Sequence, residues 1–386
     1  MLRHLVFMCN KRCKNMMMKM VATCLLGIEG LVADDLKSMD AQNVCAENGR
    51  VFFDGDETIL ARANIWSRYA ERILIVVDKF TAVTFEELFQ AVKALPWSEF
   101  IGSADEFPVK GFSINSTLHS VPDCQKIIKK AIVESLKEDY HINWFEESGP
   151  IHQIQFSIMK DEATIMLDTS GRGLHKRGYR PVGNDAPIRE TLAAAMCRLS
   201  QLRHYHTMYD PCCGSGTILI EGAMLANNIA PGINRNFDVD RWGFVPEKVW
   251  MSERERCHDL IKTDTDFVAF GSDVDPHAIE LTEKNAKNIK VDKFIRASVC
   301  DVARFNPTTE KGTLITNPPY GERMLDIRTA EKLYRVMGEK FERKHGWSYG
   351  IISPDEEFEK CFGRKADKRR KLYNGMIKCQ YYMYFK

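Results

Sequence analysis

The apolar positions of the chain follow two different rhythms, which meet near residue 190. In the first part, short strand-like segments alternate with amphipathic helices. Thr84 is placed to N-cap one helix, which Pro96 ends, and Lys160-Asp161 separates two strands that read as a hairpin. The predicted strands cover 21–28, 50–56, 71–80, 107–118, 151–159 and 162–170, and the main helices cover 57–70, 85–95 and 125–140. This pattern indicates an α+β module, and no catalytic arrangement is recognisable in it.

From about residue 190 the strands become apolar on both faces, which is typical of a parallel sheet covered by helices. The predicted strands cover 206–213, 267–274, 294–300, 312–317 and 348–353, and a closing hairpin covers 371–385. An insertion over 229–263 carries Trp242, Phe244 and Trp250. The fold class is therefore α/β, with a Rossmann-like, doubly wound and mostly parallel sheet. Ligands of such sheets bind at the carboxyl ends of the strands.

Length and composition fit a multidomain globular protein. The 386 residues predict two or three domains, and 44% hydrophobic with 28% charged residues argues against disorder. No apolar run reaches the length of a membrane helix, so no membrane partner and a cytoplasmic location are expected. The first residues have the wrong order for a signal peptide, and we expect 1–18 to be a disordered extension. The twelve cysteines lack a disulfide or zinc spacing, which predicts reduced thiols and no metal.

The net charge of only +1 gives no overall sign of nucleic-acid binding, but basic residues are clustered locally. From sequence alone, a solvated surface explains each cluster as well as RNA contact does. The candidate RNA-binding residues are Lys126, Lys130, His175, Lys176, Arg177, Arg180, Lys368 and Arg369.

A glycine-containing turn joins the first strand of the second part to its helix. Glycines there allow a ligand to approach the backbone closely, and a helix N-terminus favours a carboxylate. A plain tight turn or a dinucleotide-binding turn would also fit, although the full G-x-G-x-x-G and a phosphate-loop lysine are both missing. The candidate ligand-binding residues are Asp210, Pro211, Cys212, Gly214, Ser215, Gly216 and Thr217.

Acidic residues end the next two strands. Asp273 can accept hydrogen bonds from two ribose hydroxyls, although it could instead be the N-cap of the following helix, a role that Asp275 fills as well. Asp301 lies where an adenine amino group could be bound, and alone would be an ordinary surface acid. Their neighbours Val274 and Val302 are included in the candidate site.

The segment Asn317-Pro318-Pro319-Tyr320 follows the fourth strand and carries the chemistry. An aryl amine is a poor nucleophile because its lone pair is delocalised into the ring. The Asn317 side-chain oxygen and the Pro318 carbonyl can each accept one N–H hydrogen bond and localise that lone pair, while the two prolines fix the backbone. Tyr320 offers a face on which an extracted base can stack. These four residues are the predicted catalytic group, because a stiff turn alone would not explain its place beside the other strand ends.

The chain resembles the THUMP-domain, class I, S-adenosylmethionine-dependent 23S ribosomal RNA guanine-N2 methyltransferases. The resemblance runs from about Lys19 to the C-terminus and is carried by LHKRGYR (174–180), APIRETL (186–192), DPCCGSGTILIEGA (210–223) and the N-P-P-Y segment. It implies S-adenosylmethionine as cofactor, RNA as partner, and Arg189, Glu190 and Thr191 as cofactor neighbours. It also implies a ferredoxin-like piece over 19–69, a THUMP RNA-binding domain over 70–170 and a methyltransferase domain over 171–386.

Several alternatives stay open at this point. N-P-P-Y also serves adenine-N6 methylation, and related THUMP enzymes modify tRNA. A binding protein without turnover is disfavoured by the intact Asn317, Pro318 and Tyr320. A proline-cysteine pair serves cytosine C5 methylation when it follows the fourth strand, but Cys212 and Cys213 lie in the glycine turn, where buried small side chains are the better explanation.

Overall fold

The computed structural model describes residues 17–180, 188–320 and 327–385. Its N-terminal half contains seven strands and four α-helices among these residues. In chain order they are β1 (Met18–Cys24), α1 (Glu29–Ser38), β2 (Gln42–Glu47), β3 (Arg50–Gly55), α2 (Glu57–Trp66), β4 (Ala70–Thr81), α3 (Phe85–Lys93), β5 (Val109–Ile114), α4 (Val121–Tyr140), β6 (Ile154–Met159) and β7 (Glu162–Asp168). The extension expected over 1–18 lies outside the described residues as far as residue 16, and Met18 already belongs to β1.

Two of the predicted local signals are present in the structure, although β1, α2 and β5 differ from their predicted bounds. Thr84 and Glu87 form a reciprocal capping box at the start of α3. Lys160 and Asp161 adopt φ values of +51° and +64°, which closes the tight hairpin between β6 and β7. Strand β2 was not predicted, because its side chains are almost all exposed and it has no apolar alternation.

All seven strands form one sheet in the order β2-β3-β1-β4-β7-β6-β5. Strand β4 pairs with β1 on one side and β7 on the other, so the sheet is continuous through the two predicted N-terminal modules. Arg50 on β3 donates to Ser157 on β6 across 3.3 Å, although three strands separate them, so the sheet is strongly curled.

The C-terminal half contains a second seven-stranded sheet. Its elements are α5 (Glu190–Leu199), β8 (Thr207–Asp210), α6 (Thr217–Ala226), α7 (Glu247–Asp259), β9 (Val268–Asp273), α8 (Pro276–Asn288), β10 (Ile295–Val299), β11 (Gly312–Thr316), α9 (Ile327–Lys340), β12 (Trp347–Ser353), α10 (Phe358–Phe362), β13 (Lys368–Asn374) and β14 (Ile377–Tyr384). The strand order is β10-β9-β8-β11-β12-β14-β13; β14 is antiparallel to both of its neighbours, and the other strands are parallel. The order reverses between β8 and β11, which is where a doubly wound sheet binds its ligand. The predicted fold class is confirmed.

The insertion between α6 and β9 fastens the two halves together. The ring of Trp242 stacks on that of His152 with centroids 4.4 Å apart, and its Nε1 donates to the carbonyl of Ile151. Arg62 on α2 forms a two-pronged ion pair with Glu253 on α7, with the closer N···O distance 2.8 Å. The N-terminal sheet is therefore anchored to the C-terminal domain by contacts that are far apart in sequence. Within the described ranges, no helix is long and apolar enough to cross a bilayer.

Candidate active site

The glycine turn after β8 adopts a backbone that only glycine accommodates easily. Gly214 and Gly216 have φ values of +53° and +78°. A Cβ on Gly216 would lie 2.7 Å from Cγ2 of Thr282 on α8, so the turn also packs too closely for a side chain. Helix α6 begins directly after it, with no side-chain N-cap from the described residues and no acid in its first turn. Its first N–H groups are thus suited to an anionic group of a ligand.

Asp273 at the end of β9 holds this turn in place. Its Oδ2 accepts a hydrogen bond from the Gly214 N–H at 2.9 Å, and its Oδ1 accepts one from the Asp275 N–H. The N-cap of α8 is Asp275, which accepts from the His277 N–H at 2.9 Å. The competing explanation of Asp273 as the helix cap is therefore removed.

Asp210 at the end of β8 is buried and only partly satisfied. Its Oδ1 accepts hydrogen bonds from the Thr316 hydroxyl at 2.7 Å and the Cys212 N–H at 3.2 Å. Its Oδ2 is buried and has no hydrogen-bond partner among the described residues. Burial raises the pKa of this carboxyl to about 7, and the nearby charge of Asp273 acts in the same direction. A cation in this position would stabilise the ionised form.

The Asp210–Thr316 hydrogen bond also brings the end of β11 beside the glycine turn, so the N-P-P-Y segment begins there. Oδ1 of Asn317 is buried and has no hydrogen-bond partner within the described part of the chain. The hydroxyl of Tyr320 accepts a hydrogen bond from Nδ2 of Asn374 at 2.7 Å, and burial raises the pKa of this phenol. An unpartnered acceptor and a partly buried aromatic residue thus belong to one short segment at the topological switch point.

The remaining strand-end residues differ in accessibility. Asp301 is exposed, and its side chain accepts from the Ala303 N–H at 2.8 Å, so it caps a short 3-10 turn. Val302 is buried in a core cluster, whereas Val274 is 65% exposed and presents an apolar surface beside Asp273. Burial raises the pKa of the Cys212 and Cys213 thiols, which is consistent with inert packing residues.

The burial of Arg177 contradicts its predicted role in RNA binding. Its side chain is 1% exposed and lies within an ion-pair distance of 3.4 Å from Glu221 on α6. The guanidinium also donates to the main-chain oxygens of Leu174 and Arg68, and the hydroxyl of Tyr179 donates to Glu221. The basic segment therefore turns inward, because the buried carboxylate of Glu221 needs a partner.

Arg180 is also committed inside the protein, which corrects a second RNA-binding assignment. Its guanidinium pairs with Glu190 at 2.9 Å and donates to the Thr217 hydroxyl at 2.7 Å, at the first turn of α6. It thus lies beside the glycine turn. Glu190 and Thr217 are both buried.

Glu71 on β4 contacts three of the predicted site residues, and the sequence alone did not identify it. One of its oxygens lies 2.8 Å from Nδ1 of His175 and accepts from Arg189 at 2.9 Å, while the other accepts from the Thr191 hydroxyl at 2.5 Å. His175 is therefore held against this carboxylate inside the protein rather than free for RNA. No spacing signal links an acid on β4 to partners more than a hundred residues later.

The other predicted RNA-binding residues do lie on the surface. Lys126 and Lys130 are exposed on α4, Lys176 is exposed next to the buried Arg177, and Lys368 and Arg369 are exposed on β13. Arg369 pairs with Glu359 through both of its carboxylate oxygens.

The donor set fits S-adenosylmethionine. The uncapped start of α6 suits its carboxylate, Asp273 has the chemistry to accept from ribose hydroxyls, and the buried oxygen of Asp210 suits a positive charge. No cluster of three metal-ligating side chains occurs within residues 17–180, 188–320 and 327–385. The fold and this site define a class I methyltransferase.

Comparison with known proteins gives the family. The RMKL-like methyltransferase domain matches residues 177–383, the RlmL ferredoxin-like domain matches 19–74, and the THUMP domain matches 82–168. The chain is 42% identical to the putative RNA methyltransferase YpsC of Bacillus subtilis over 95% of both chains. It is 32% identical to the ribosomal RNA large subunit methyltransferase K/L of Shewanella frigidimarina, over 93% of this chain but only 51% of that protein. The crystal structure of SMU.472, a putative methyltransferase complexed with SAH, matches with a TM-score of 0.89 and 41% identity, over 97% of this chain and 99% of that one.

The chain belongs to the RMKL-like family of S-adenosylmethionine-dependent RNA methyltransferases, with an N-terminal ferredoxin-like domain and a THUMP domain. The methyl donor is S-adenosylmethionine.

Proposed function

We propose that this protein transfers a methyl group from S-adenosylmethionine to the exocyclic N2 amine of a guanine in 23S ribosomal RNA. The large-subunit methyltransferase K/L named above supports the ribosomal substrate, and this chain spans about half of that protein. The THUMP domain, with Lys126 and Lys130 exposed on α4, offers a surface for the RNA. Binding should therefore weaken as salt is added.

The proposal depends above all on Oδ1 of Asn317, a buried acceptor without a hydrogen-bond partner among the described residues. Leaving such an atom unsatisfied costs roughly 1–3 kcal/mol, so a ligand that donates to it gains that much affinity and orientation. An exocyclic amine has two N–H groups and can supply this bond. The carbonyl of Pro318, one residue further on, is the second acceptor in the proposal.

These two acceptors act on the nitrogen, and the other groups hold the reactants. S-adenosylmethionine, when bound, supplies an electrophilic methyl group on a sulfonium, so a main task of the protein is alignment. Holding the reactants in line can contribute about 7–11 kcal/mol to lowering the barrier. Tyr320 is the stacking surface for the base, and its hydroxyl is held by Asn374 at 2.7 Å. Asp210, Asp273 and the glycine turn hold the cofactor in this scheme, with Arg180 and Glu190 supporting the start of α6.

Substitution of Asn317 tests the chemistry. We expect Asn317→Ala to lower the single-turnover methylation rate by about 10²–10³-fold, because one preorganised partner of the amine is lost. The affinity for S-adenosylmethionine, measured by calorimetry, should change little. The control is Asn43→Ala, which changes an exposed asparagine on β2 and should leave the methylation rate unchanged. A rate for Asn317→Ala within a few-fold of the wild type contradicts the proposed role.

Nucleoside analysis tests the substrate. Ribosomal RNA from a strain that lacks the protein should gain N2-methylguanosine on incubation with the purified enzyme, and mapping the methyl group identifies the nucleotide. Formation of N6-methyladenosine, or methylation of tRNA alone, would replace the guanine or the ribosomal part of the proposal.

A further inference from the structure

The hairpin of β13 and β14 projects from the same edge of the sheet as the N-P-P-Y segment. Strand β12 ends at that edge with Ser353, which pairs with Gln380 of the antiparallel β14. Residues before Gln380 on β14 therefore extend past the end of β12, and Ile377 pairs with Asn374 to close the hairpin. The hairpin tip thus lies on the side of the domain where β8, β9 and β11 present the candidate site.

The turn at this tip displays a single apolar side chain. Gly375 has a φ of +64°, and Met376 follows it in a two-residue loop. A glycine with positive φ at the first loop position is typical of a type II′ turn, which is a well-defined hairpin geometry. Met376 is 96% exposed, the highest value among the exposed large hydrophobic residues of the described chain. Single exposed apolar residues are ordinary on a protein surface, so what distinguishes Met376 is its place at the tip of an ordered turn on the side of the candidate site.

The tip is attached to Tyr320. Asn374, the residue before the turn, donates from Nδ2 to the Tyr320 hydroxyl at 2.7 Å, and the thiol of Cys379 lies 3.9 Å from the same oxygen. Since the turn is short and paired on both sides, these contacts fix the position of Met376 relative to the aromatic residue assigned to the target base.

The outer edge beside the tip is positively charged. Strand β13 ends the sheet, and four consecutive basic residues on it, Lys368, Arg369, Arg370 and Lys371, are exposed. Arg369 is paired with Glu359, and Arg370 donates to the carbonyl of Gly27, which leaves the two lysines for other partners. Such a charged edge repels a second copy of itself and attracts a polyanion. The partner that this edge favours is therefore the phosphate backbone of the RNA.

We propose that Met376 is a wedge that enters the base stack of the RNA and fills the place of the extracted target base. Apolar side chains, methionine included, are used in this way to unstack neighbouring bases. In this arrangement Asn374 positions the wedge relative to Tyr320, and the two lysines of β13, Lys368 and Lys371, contact the adjoining backbone. The inference rests on the proposed function, since it requires a nucleic acid substrate with a paired or stacked target.

The test uses two RNAs that contain the guanine mapped above. In one it is base-paired within a short duplex, and in the other it lies in an unpaired oligonucleotide of the same sequence. We expect Met376→Ala to lower the single-turnover rate on the duplex by at least about tenfold, and on the unpaired RNA by less than about twofold. Extraction costs free energy only when the base is paired and stacked. Met376→Leu keeps an apolar wedge and should restore most of the duplex rate.

Met251→Ala is the matched control, because Met251 is 56% exposed on α7 and is not at the candidate site. If Met376→Ala lowers the single-turnover rate equally on both RNAs, the hairpin only supports Tyr320. If Met376→Ala leaves the rate on the duplex unchanged, Met376 is not a wedge. Either result overturns the inference. If Met376→Ala instead abolishes self-association of the protein and the rate follows that association, the hairpin tip contacts a second copy of the chain, which also overturns the inference. If the wild type forms no N2-methylguanosine on either RNA, the proposed function fails and the inference fails with it. Failure of the wedge alone appears as normal wild-type methylation with an unaffected Met376→Ala.

Discussion

Replacement of Arg177 by alanine distinguishes a buried structural role from RNA binding. The guanidinium is 1% exposed, and its partner Glu221 is 0% exposed, so the substitution leaves a buried carboxylate without its counter-charge. Breaking a buried pair in this way costs about 3–5 kcal/mol. The main-chain oxygens of Leu174 and Arg68 lose their donors at the same time, which adds to the destabilisation. We therefore expect the free energy of unfolding of Arg177→Ala to fall by at least about 3 kcal/mol.

Urea unfolding followed by far-ultraviolet circular dichroism measures this loss. Lys176→Ala is the control, because Lys176 is the exposed neighbour of Arg177 and should change the free energy of unfolding by less than about 0.5 kcal/mol. A second variant, Arg177→Ala with Glu221→Gln, removes the uncompensated charge and should recover part of the loss.

RNA affinity measured over a range of salt concentrations completes the experiment. Below the unfolding transition, Arg177→Ala should keep the wild-type dependence of affinity on salt, because a residue that does not contact phosphate releases no counterions. The reasoning is refuted if Arg177→Ala unfolds like the wild type while its RNA affinity and salt dependence both fall.

Two further predictions concern the cofactor site. The pKa of Asp210, raised by burial from about 3.8 to about 7, means that the folded protein without cofactor holds this proton more tightly than the unfolded chain does. Its contribution to stability is complete below about pH 4 and is lost as the pH rises to about 7, which amounts to as much as about 4 kcal/mol at about 1.4 kcal/mol per pH unit. As the pH rises from 5 to 8, the free energy of unfolding of Asp210→Asn, measured with urea, should therefore increase relative to that of the wild type. If the two free energies change in parallel with pH, this prediction is contradicted. Asp273→Ala removes the acceptor of the Gly214 N–H and should raise the Kd for S-adenosylmethionine about 10–100-fold by calorimetry, with turnover largely retained at saturation; an unchanged Kd would exclude its role in cofactor binding.

The fold of the C-terminal half could be predicted from the sequence because its signals are local. Strands that are apolar on both faces indicate a covered parallel sheet, and the candidate residues stand at the strand ends, where such sheets bind ligands. The choice between Asp273 and Asp275 as the cap of α8 needed the structure, because both residues satisfy the sequence rule for an N-cap.

The basic segment around Arg177 could not be predicted correctly because burial is not a local property. Its lysine and arginines look like a charged surface, but only Lys176 is exposed. The partner of Arg177 is Glu221 on α6, more than forty residues away in sequence. The Arg177 hydrogen bond to the main chain of Arg68 and the His175 contact with Glu71 on β4 depend on how the two halves pack. Strand β2 was missed for a related reason, since an edge strand can be held by main-chain pairing with β3 without an apolar face.

The stacking of Trp242 on His152 and the Arg62–Glu253 ion pair hold the two halves of the molecule at a fixed distance from each other. Since the THUMP domain and the N-P-P-Y segment are carried on halves joined at several separate points, the span from one to the other is fixed. If the THUMP domain anchors a helix of the RNA, as the proposed function implies, a fixed span would select the target by its distance from that helix rather than by the sequence around it. Lengthening that RNA helix by a few base pairs would move the modified base out of reach without changing a single contact at either end.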